Sequence, residues 1–366
     1  MKSTHHDENH ASHDPDILVV APWLQGGGGQ GALAGVLRDV PKSRIRLVVL
    51  FNGNRDTDSV TSLVGETVFF DMPRNPVGVA RASRRLAGYV RHASTIYSLM
   101  RASHLVLGMV PSSTLAERRL AATFHQLPSQ DSAGVIGRVE DLLVKRATKR
   151  AQVVTAPSQR AVDELIERGF ASTTTARFEP NRIAVTTSES APVYDVDLDE
   201  VRLLVAGRLS EQKGIDRLPE LLSGATTSVI LRVAGSGELA DEVSQWQESR
   251  GFPTRVEYVG YVPDLTAHLD WCDAVLMPSR WELNPLVVWE SWARGKPVLA
   301  TRLPVFEDLS EAGPLFTFTT AAELSDHIER RIVPASARNH DTSRALAANA
   351  LQAREGNHLA EFLTAQ

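Results

Sequence analysis

The chain has 366 residues, 43% of them hydrophobic and 23% charged, and a formal net charge of −5. That length suits two domains of about 150–200 residues each. The composition is that of a globular protein, and the acidic balance argues against nucleic acid as a partner. A single cysteine, Cys272, excludes an internal disulfide and a cysteine-based metal cluster.

Residues 1–14 are polar, carry four histidines and predict a disordered tail. They lack the basic and apolar regions of a signal peptide. No apolar run reaches the roughly 18 residues of a membrane span, so the sequence predicts a cytoplasmic protein. Short β-branched or apolar runs then alternate with helical stretches. Strands are expected at Ile17–Ala21, Ile45–Phe51, Thr67–Phe70, Leu105–Val110, Ala121–Phe124 and Gln152–Thr155. Helices are expected at Ala32–Asp39, Gly78–Ala102, Gly137–Arg150 and Gln159–Arg168.

The polar, proline-containing segment 186–199 breaks the rhythm and reads as a linker. A second set follows, with strands at Val201–Ala206, Ser228–Ala234, Arg255–Tyr258, Ala274–Met277, Pro297–Ala300 and Leu315–Phe318. Its helices are Leu218–Leu222, Leu239–Ser249, Leu265–Asp270, Leu286–Ala293, Ala321–Ile332 and Ser343–Leu363. Alternation of this kind predicts α/β architecture: two doubly wound Rossmann-like domains facing each other across a cleft. The expected division is 15–188, 189–338 and a C-terminal helix, 339–366, returning to the first domain. Residues 1–190 hold 23 Lys and Arg against 18 Asp and Glu, and the remainder 16 against 26, which fits domains with different partners.

Three segments of the second half carry chemistry at the carboxyl ends of predicted strands, where open parallel sheets bind ligands. The first runs into Gly207 and continues through Arg208, Lys213 and Gly214. A forked guanidinium and a point-charge ammonium suit a diphosphate. The second, with Gly235 and Gly237, lets backbone approach a ligand, although a plain strand–helix turn explains it equally well. The third runs from Met277 to Pro297. Asn284 is expected as N-cap and Pro285 as the first helical residue, with Gly295 closing the helix. Its start offers unpaired N–H groups and a positive dipole end to an anion. Glu282 stands just before that start, and Glu290 about 8 Å along the helix at about 1.5 Å per residue. Two carboxylates so placed suit sugar hydroxyls on either side of a diphosphate.

In the first half, the glycines at 26–29 follow the first strand and precede a helix, as a close-approach loop does. No acidic ribose partner of a dinucleotide fingerprint follows. His125 ends a strand in a polar turn. Residues 78–102 place Arg81, Arg84, Arg85, Arg91 and Arg101 beside Leu86, Tyr89, Ile96 and Leu99, the pattern of a basic amphipathic helix on an anionic membrane or of a solvated face. The pairs Asp56/Asp58 and Asp195/Asp197 lie in polar loops and do not suggest a metal site.

The segments Gly207–Leu218 and Asp273–Thr301 resemble the donor-binding half of family-4 glycosyltransferases, which are retaining enzymes of GT-B fold. Glu282 and Glu290 match that family's Glu-x7-Glu signature, and Gly207, Arg208, Lys213 and Gly214 its Gly-Arg-x4-Lys-Gly segment. The resemblance implies that Arg208 and Lys213 neutralise a nucleotide-sugar diphosphate. Glu290 would hold the ribose, Glu282 the transferred sugar, and Leu283, Asn284, Pro285 and Leu286 would touch sugar and phosphate. From the first domain, Gly28 and Gly29 would face the donor diphosphate and the acceptor and His125 would act at the donor sugar, and Gly207 and Gly235 would line the donor site. It implies no cofactor and no metal, and a glycan, lipid-linked or small-molecule acceptor. Where the family carries Asn-Gly, residues 182–188 depart from it. A sugar-nucleotide epimerase of the same fold and a silent sugar-nucleotide-binding protein are the competing readings; a nicotinamide-dependent oxidoreductase fits poorly.

Overall fold

The computed structural model describes residues 15–24, 28–52, 58–131, 134–181, 200–248, 254–332 and 358–365. The polar tail, the linker segment, residues 182–188 and most of the expected last helix lie outside them. The chain forms two compact units, Met1–Pro180 with Asn357–Gln366, and Asn181–Gly356.

The first unit has seven parallel strands: β1 Ile17–Ala21, β2 Ile45–Phe51, β3 Glu66–Met72, β4 Thr95–Leu99, β5 Arg119–Thr123, β6 Val153–Ala156 and β7 Ala176–Phe178. Their order is β3-β2-β1-β4-β5-β6-β7, so the winding direction reverses between β1 and β4. Every residue of β1 and β4 is buried, as a sheet covered on both faces requires. Each such Val, Leu or Ile side chain contributes about 1.5–3 kcal/mol. The helix His358–Thr364 joins this unit: Leu359, Ala360 and Leu363 pack with Ile17, Leu33 and Leu37. Arg119 donates to the Phe362 carbonyl at 2.6 Å and lies over its ring, and Arg44 donates to the Thr364 carbonyl.

The first unit departs from the sequence pattern over residues 91–110. The helix expected over Gly78–Ala102 ends at Val90, β4 follows, and a second helix, Met100–Gly108, occupies the place of the expected strand Leu105–Val110. Asn75 caps the first helix through its side chain, accepting from the Gly78 N–H at 2.8 Å. The apolar run at 105–107 misleads because its helix is buried rather than amphipathic: Val106 and Leu107 are fully covered. Gly108 lies so close to the Leu143 carbonyl of helix Gly134–Thr148 that a Cβ there would collide with it. The basic amphipathic pattern therefore splits. Ile96 and Leu99 are strand core, and Arg101 pairs with Asp141 at 2.6 Å. Only Arg81, Arg84, Arg85 and Arg91 remain on an exposed face.

The second unit has six parallel strands, β8 Glu200–Ala206, β9 Ser228–Ala234, β10 Arg255–Gly260, β11 Ala274–Met277, β12 Val298–Thr301 and β13 Leu315–Phe318. Their order is β10-β9-β8-β11-β12-β13, with the reversal between β8 and β11. One core face gathers Leu203, Val205, Leu231 and Leu276, and the other Leu204, Val275, Val288 and Trp292. A helix unforeseen from the sequence, Pro304–Ser310, joins β12 to β13, with Pro304 in its first turn. Among the described residues no helix is long and apolar enough to cross a membrane.

Candidate functional site

In the second unit the carboxyl ends of β8, β9, β10 and β11 share one edge, and their loops interlock. The Gly207 N–H donates to the Ala234 carbonyl at 3.0 Å, and the Gly235 N–H to the Gly260 carbonyl at 2.7 Å. Gly235 adopts φ 151°, and a Cβ there would collide with the Gly207 carbonyl. Loop packing thus requires glycine at Gly235, whereas at Gly207, where a Cβ would meet only ordinary contact, the backbone angle, φ 138°, alone does.

The loop after β8 is pinned to the loop after β11. Arg280 donates to both carboxylate oxygens of Asp216 at 2.7 Å and to the Glu211 carbonyl at 2.8 Å. That fork holds the Asp216 carboxyl below the usual carboxylate range. Arg217 donates to the Pro278 carbonyl at 3.2 Å. Gly214 makes the turn in the left-handed region, φ 66°, with the Pro278 carbonyl where a Cβ would be. Gly214→Ala is therefore expected to cost about 2–3 kcal/mol of unfolding free energy, measured by denaturant melts.

This pinning brings Lys213 to Glu282. The ammonium donates to Glu282 Oε1 at 2.5 Å, and Ser279 Oγ donates to the same oxygen at 2.9 Å. The Glu282 side chain is 6% exposed and that of Lys213 24%. Thr301 Oγ1 in turn donates to the Ser279 carbonyl. An ammonium has three donors, so one bond to Glu282 leaves capacity for an anion. Arg208 stands on the same loop with its side chain 70% exposed, its nearest acid Glu238 at 3.6 Å, a geometry that costs little to break.

The helix after this loop is Leu286–Ala293, over the residues where the pattern places it. Pro285, with extended backbone, occupies the N-cap instead of the first helical position. Asn284 does not cap; its Oδ1 accepts from the Trp289 indole at 3.1 Å. In the first turn the Val288 N–H donates to the Pro285 carbonyl at 3.2 Å, while those of Leu286 and Val287 have no intrahelical acceptor. Gly295, at φ 70°, ends the helix as expected. Leu283, Asn284 and Leu286 are half-buried along the approach to the helix, and Pro285 is covered. Glu290 lies on the helix away from Glu282. Burial, with a smaller contribution from the neighbouring Asp264 carboxylate, pushes its carboxyl up to about 7.

In the first unit, helix Gly28–Leu37 begins earlier than expected, so Gly28 and Gly29 form its first turn rather than a loop before it. Residues 25–27 lie outside the described residues. His125 follows β5; its Nε2 is buried with no hydrogen-bond partner among the described residues, and burial lowers its pKa to about 4, so the ring is neutral. Behind it, His104 is braced between Ser98 Oγ at 2.7 Å and the Thr123 carbonyl at 3.2 Å. Among the described residues no group of three His, Cys, Asp or Glu is placed to hold a metal ion. Sequence reasoning missed Ser279, Asp264 and the Arg280–Asp216 staple. The Arg and Asp of the staple are 64 residues apart, and only the fold joins them.

Residues 187–342 match the family model described as glycosyl transferases group 1. Among curated relatives, the lipopolysaccharide core biosynthesis glycosyltransferase LpsE of Rhizobium meliloti is 32% identical over 108 residues, which is 30% of this chain and 32% of the relative. The matched stretch thus spans about a third of the relative's length. Among solved structures, HepE of Anabaena, determined with UDP and glucose, superposes with a TM-score of 0.77 at 20% identity, covering 96% of this chain and all of that one. WaaG, a glycosyltransferase of lipopolysaccharide biosynthesis, gives a TM-score of 0.68 at 14% identity, covering 96% and 100%. The fold is GT-B. In this GT-B chain, the segment that matches the family model contains Lys213, Glu282 and Glu290, three of the residues the sequence singled out.

Proposed function

We propose that the chain is a retaining, metal-independent glycosyltransferase that moves a hexose-type sugar from a nucleoside-diphosphate sugar to a hydroxyl of a glycan, lipid-linked or small-molecule acceptor. The observation that carries this reading is the Lys213–Glu282–Ser279 cluster set directly before helix Leu286–Ala293, with Glu290 on the same helix. Lys213, Arg208 and the helix start take the diphosphate. Glu282 accepts from hydroxyls of the transferred sugar, and Glu290 from those of the ribose. Gly28, Gly29 and the neutral His125 belong to the first unit's share of the reaction. In the reaction, the bond from the sugar's anomeric carbon to the diphosphate oxygen breaks. The acceptor oxygen bonds to that carbon on the same face, and its proton passes to the departing phosphate. Positive charge fixed in place before the bond breaks is the large term in such a step, and here side chains and a helix end supply it. A uridine donor is favoured by the likeness to HepE, solved with UDP. For a lipid-linked acceptor, Arg81, Arg84 and Arg85 are the contact offered to anionic headgroups.

A thermal-shift screen with UDP-, GDP-, ADP- and dTDP-glucose tests the donor. One nucleotide is expected to raise the melting temperature by several degrees, as binding to the folded state alone demands. No shift with any of them would put the assignment aside.

A further inference from the structure

Two described residues other than glycine have left-handed backbone, Asp71 at φ 53° and Met100 at φ 65°. Aspartate visits that region with some ease, whereas a long aliphatic side chain does so rarely. Strained residues persist where the surroundings over-determine them, and they gather at functional sites. Met100 stands directly after β4, at the reversal point of the first unit's sheet, between β1 and β5. Leu99, just before it, is in register with Thr123 of β5, two residues before His125.

The side chain of Met100 has a definite target. Its terminal methyl fills the space a Cβ on Gly29 would occupy, in the first turn of helix Gly28–Leu37. Both residues are half-buried, and Met100 packs at the margin of the core cluster that holds Leu33 and Leu37. An unbranched thioether changes shape cheaply, and the missing side chain at Gly29 is what gives it room. The backbone strain aims a flexible apolar cover at a glycine turn on the sheet edge where doubly wound folds take ligands.

The geometry points to Met100 as a specificity-determining residue: its thioether covers the Gly29 turn and swings aside to admit the acceptor, so it sets the size of the acceptor group that reaches this edge. The inference rests on the glycosyltransferase reading above. The mutual placement of Met100 and Gly29 supplies a test with opposite signs at the two positions. Met100→Ala removes the cover; Gly29→Ala pushes it outward.

The test uses the full chain, whichever of the four nucleotide sugars shifts its melting temperature, and methyl, phenyl and octyl glucosides as acceptors, with nucleoside-diphosphate release as readout. M100A is expected to raise kcat/KM for the octyl relative to the methyl glucoside about tenfold. G29A lowers kcat/KM for all three about tenfold, and G29A/M100A returns to near M100A, a coupling that independent sites do not show. Affinity for the nucleoside diphosphate alone stays unchanged in M100A and M100G. Thermal melts supply a readout without turnover: M100G, free of the backbone strain, melts about 2–4 °C above M100A. Multiplicative effects of the two substitutions, or an unchanged acceptor ranking in M100A with wild-type nucleotide affinity, would overturn the Met100 assignment alone. A wild type that is shifted by none of the four donors overturns the donor reading first, and the Met100 role with it.

Discussion

Lys213→Ala is expected to lower kcat/KM for sugar transfer by about 10²–10³-fold, the effect of removing one preorganised charge from a developing anion. It should also destabilise the protein. Glu282, at 6% side-chain exposure, would keep only the Ser279 hydroxyl, and an ion pair broken from one side leaves a covered charge, at a cost of about 2–3 kcal/mol. The double variant Lys213→Ala with Glu282→Gln separates these effects. It should recover most of the melting temperature, because a neutral amide needs no counter-charge, while turnover stays well below that of Glu282→Gln alone, which itself loses a contact to the transferred sugar. If the double variant recovered turnover along with stability, Lys213 would be a structural partner of Glu282 and nothing more.

The second large effect concerns pH. The Glu290 carboxyl, ordinarily near 4.5, is pushed up to about 7 by burial first and Asp264 second. A folded value above the unfolded one means that the folded state holds the proton more tightly between them. The stability contributed at this site is therefore fully present below pH 4.5 and is lost as pH rises through about 7. Ribose hydroxyls donating to Glu290 favour its charged form and offset that loss. The thermal shift given by a nucleoside diphosphate should therefore grow from pH 6 to pH 8. The ligand's terminal phosphate titrates nearby, at about 6, so the informative quantity is the difference between wild type and Glu290→Gln. The variant, with no group to titrate, should show a flatter profile and bind about tenfold more weakly at pH 8. Equal pH profiles for the two proteins would remove Glu290 from the nucleotide site.

Both sheets were largely legible because buried parallel strands are short β-branched runs, and all six strands of the second unit lie where that pattern places them. The stretch 91–110 was not. Thr95–Leu99 is a strand, but its Ile96 and Leu99 continue the helical spacing of Leu86 and Tyr89. The run at 105–107 has the apolar density of a strand while lying in a covered helix. The candidate site divides in the same way. Lys213, Glu282 and Glu290 could be chosen from residue type and spacing, because charge chemistry and helix starts leave local signals. The Pro285 cap could not be read so well: Asn284 has the better cap chemistry, yet Trp289 takes its side-chain oxygen. Ser279 and Met100 had no local signal at all. The Ser279 hydroxyl meets Glu282 only through the fold, and the left-handed backbone of Met100 is not readable from residue type.

On the proposed reading, the carboxyl edge of the second unit's sheet holds the nucleoside diphosphate. Hydrogen exchange with and without the nucleotide that stabilises the chain tests it directly. Slowed exchange is predicted at the amides of 207–214 and 283–290, around Lys213 and the start of helix Leu286–Ala293. Protection confined to other segments, with these two unchanged, would contradict it.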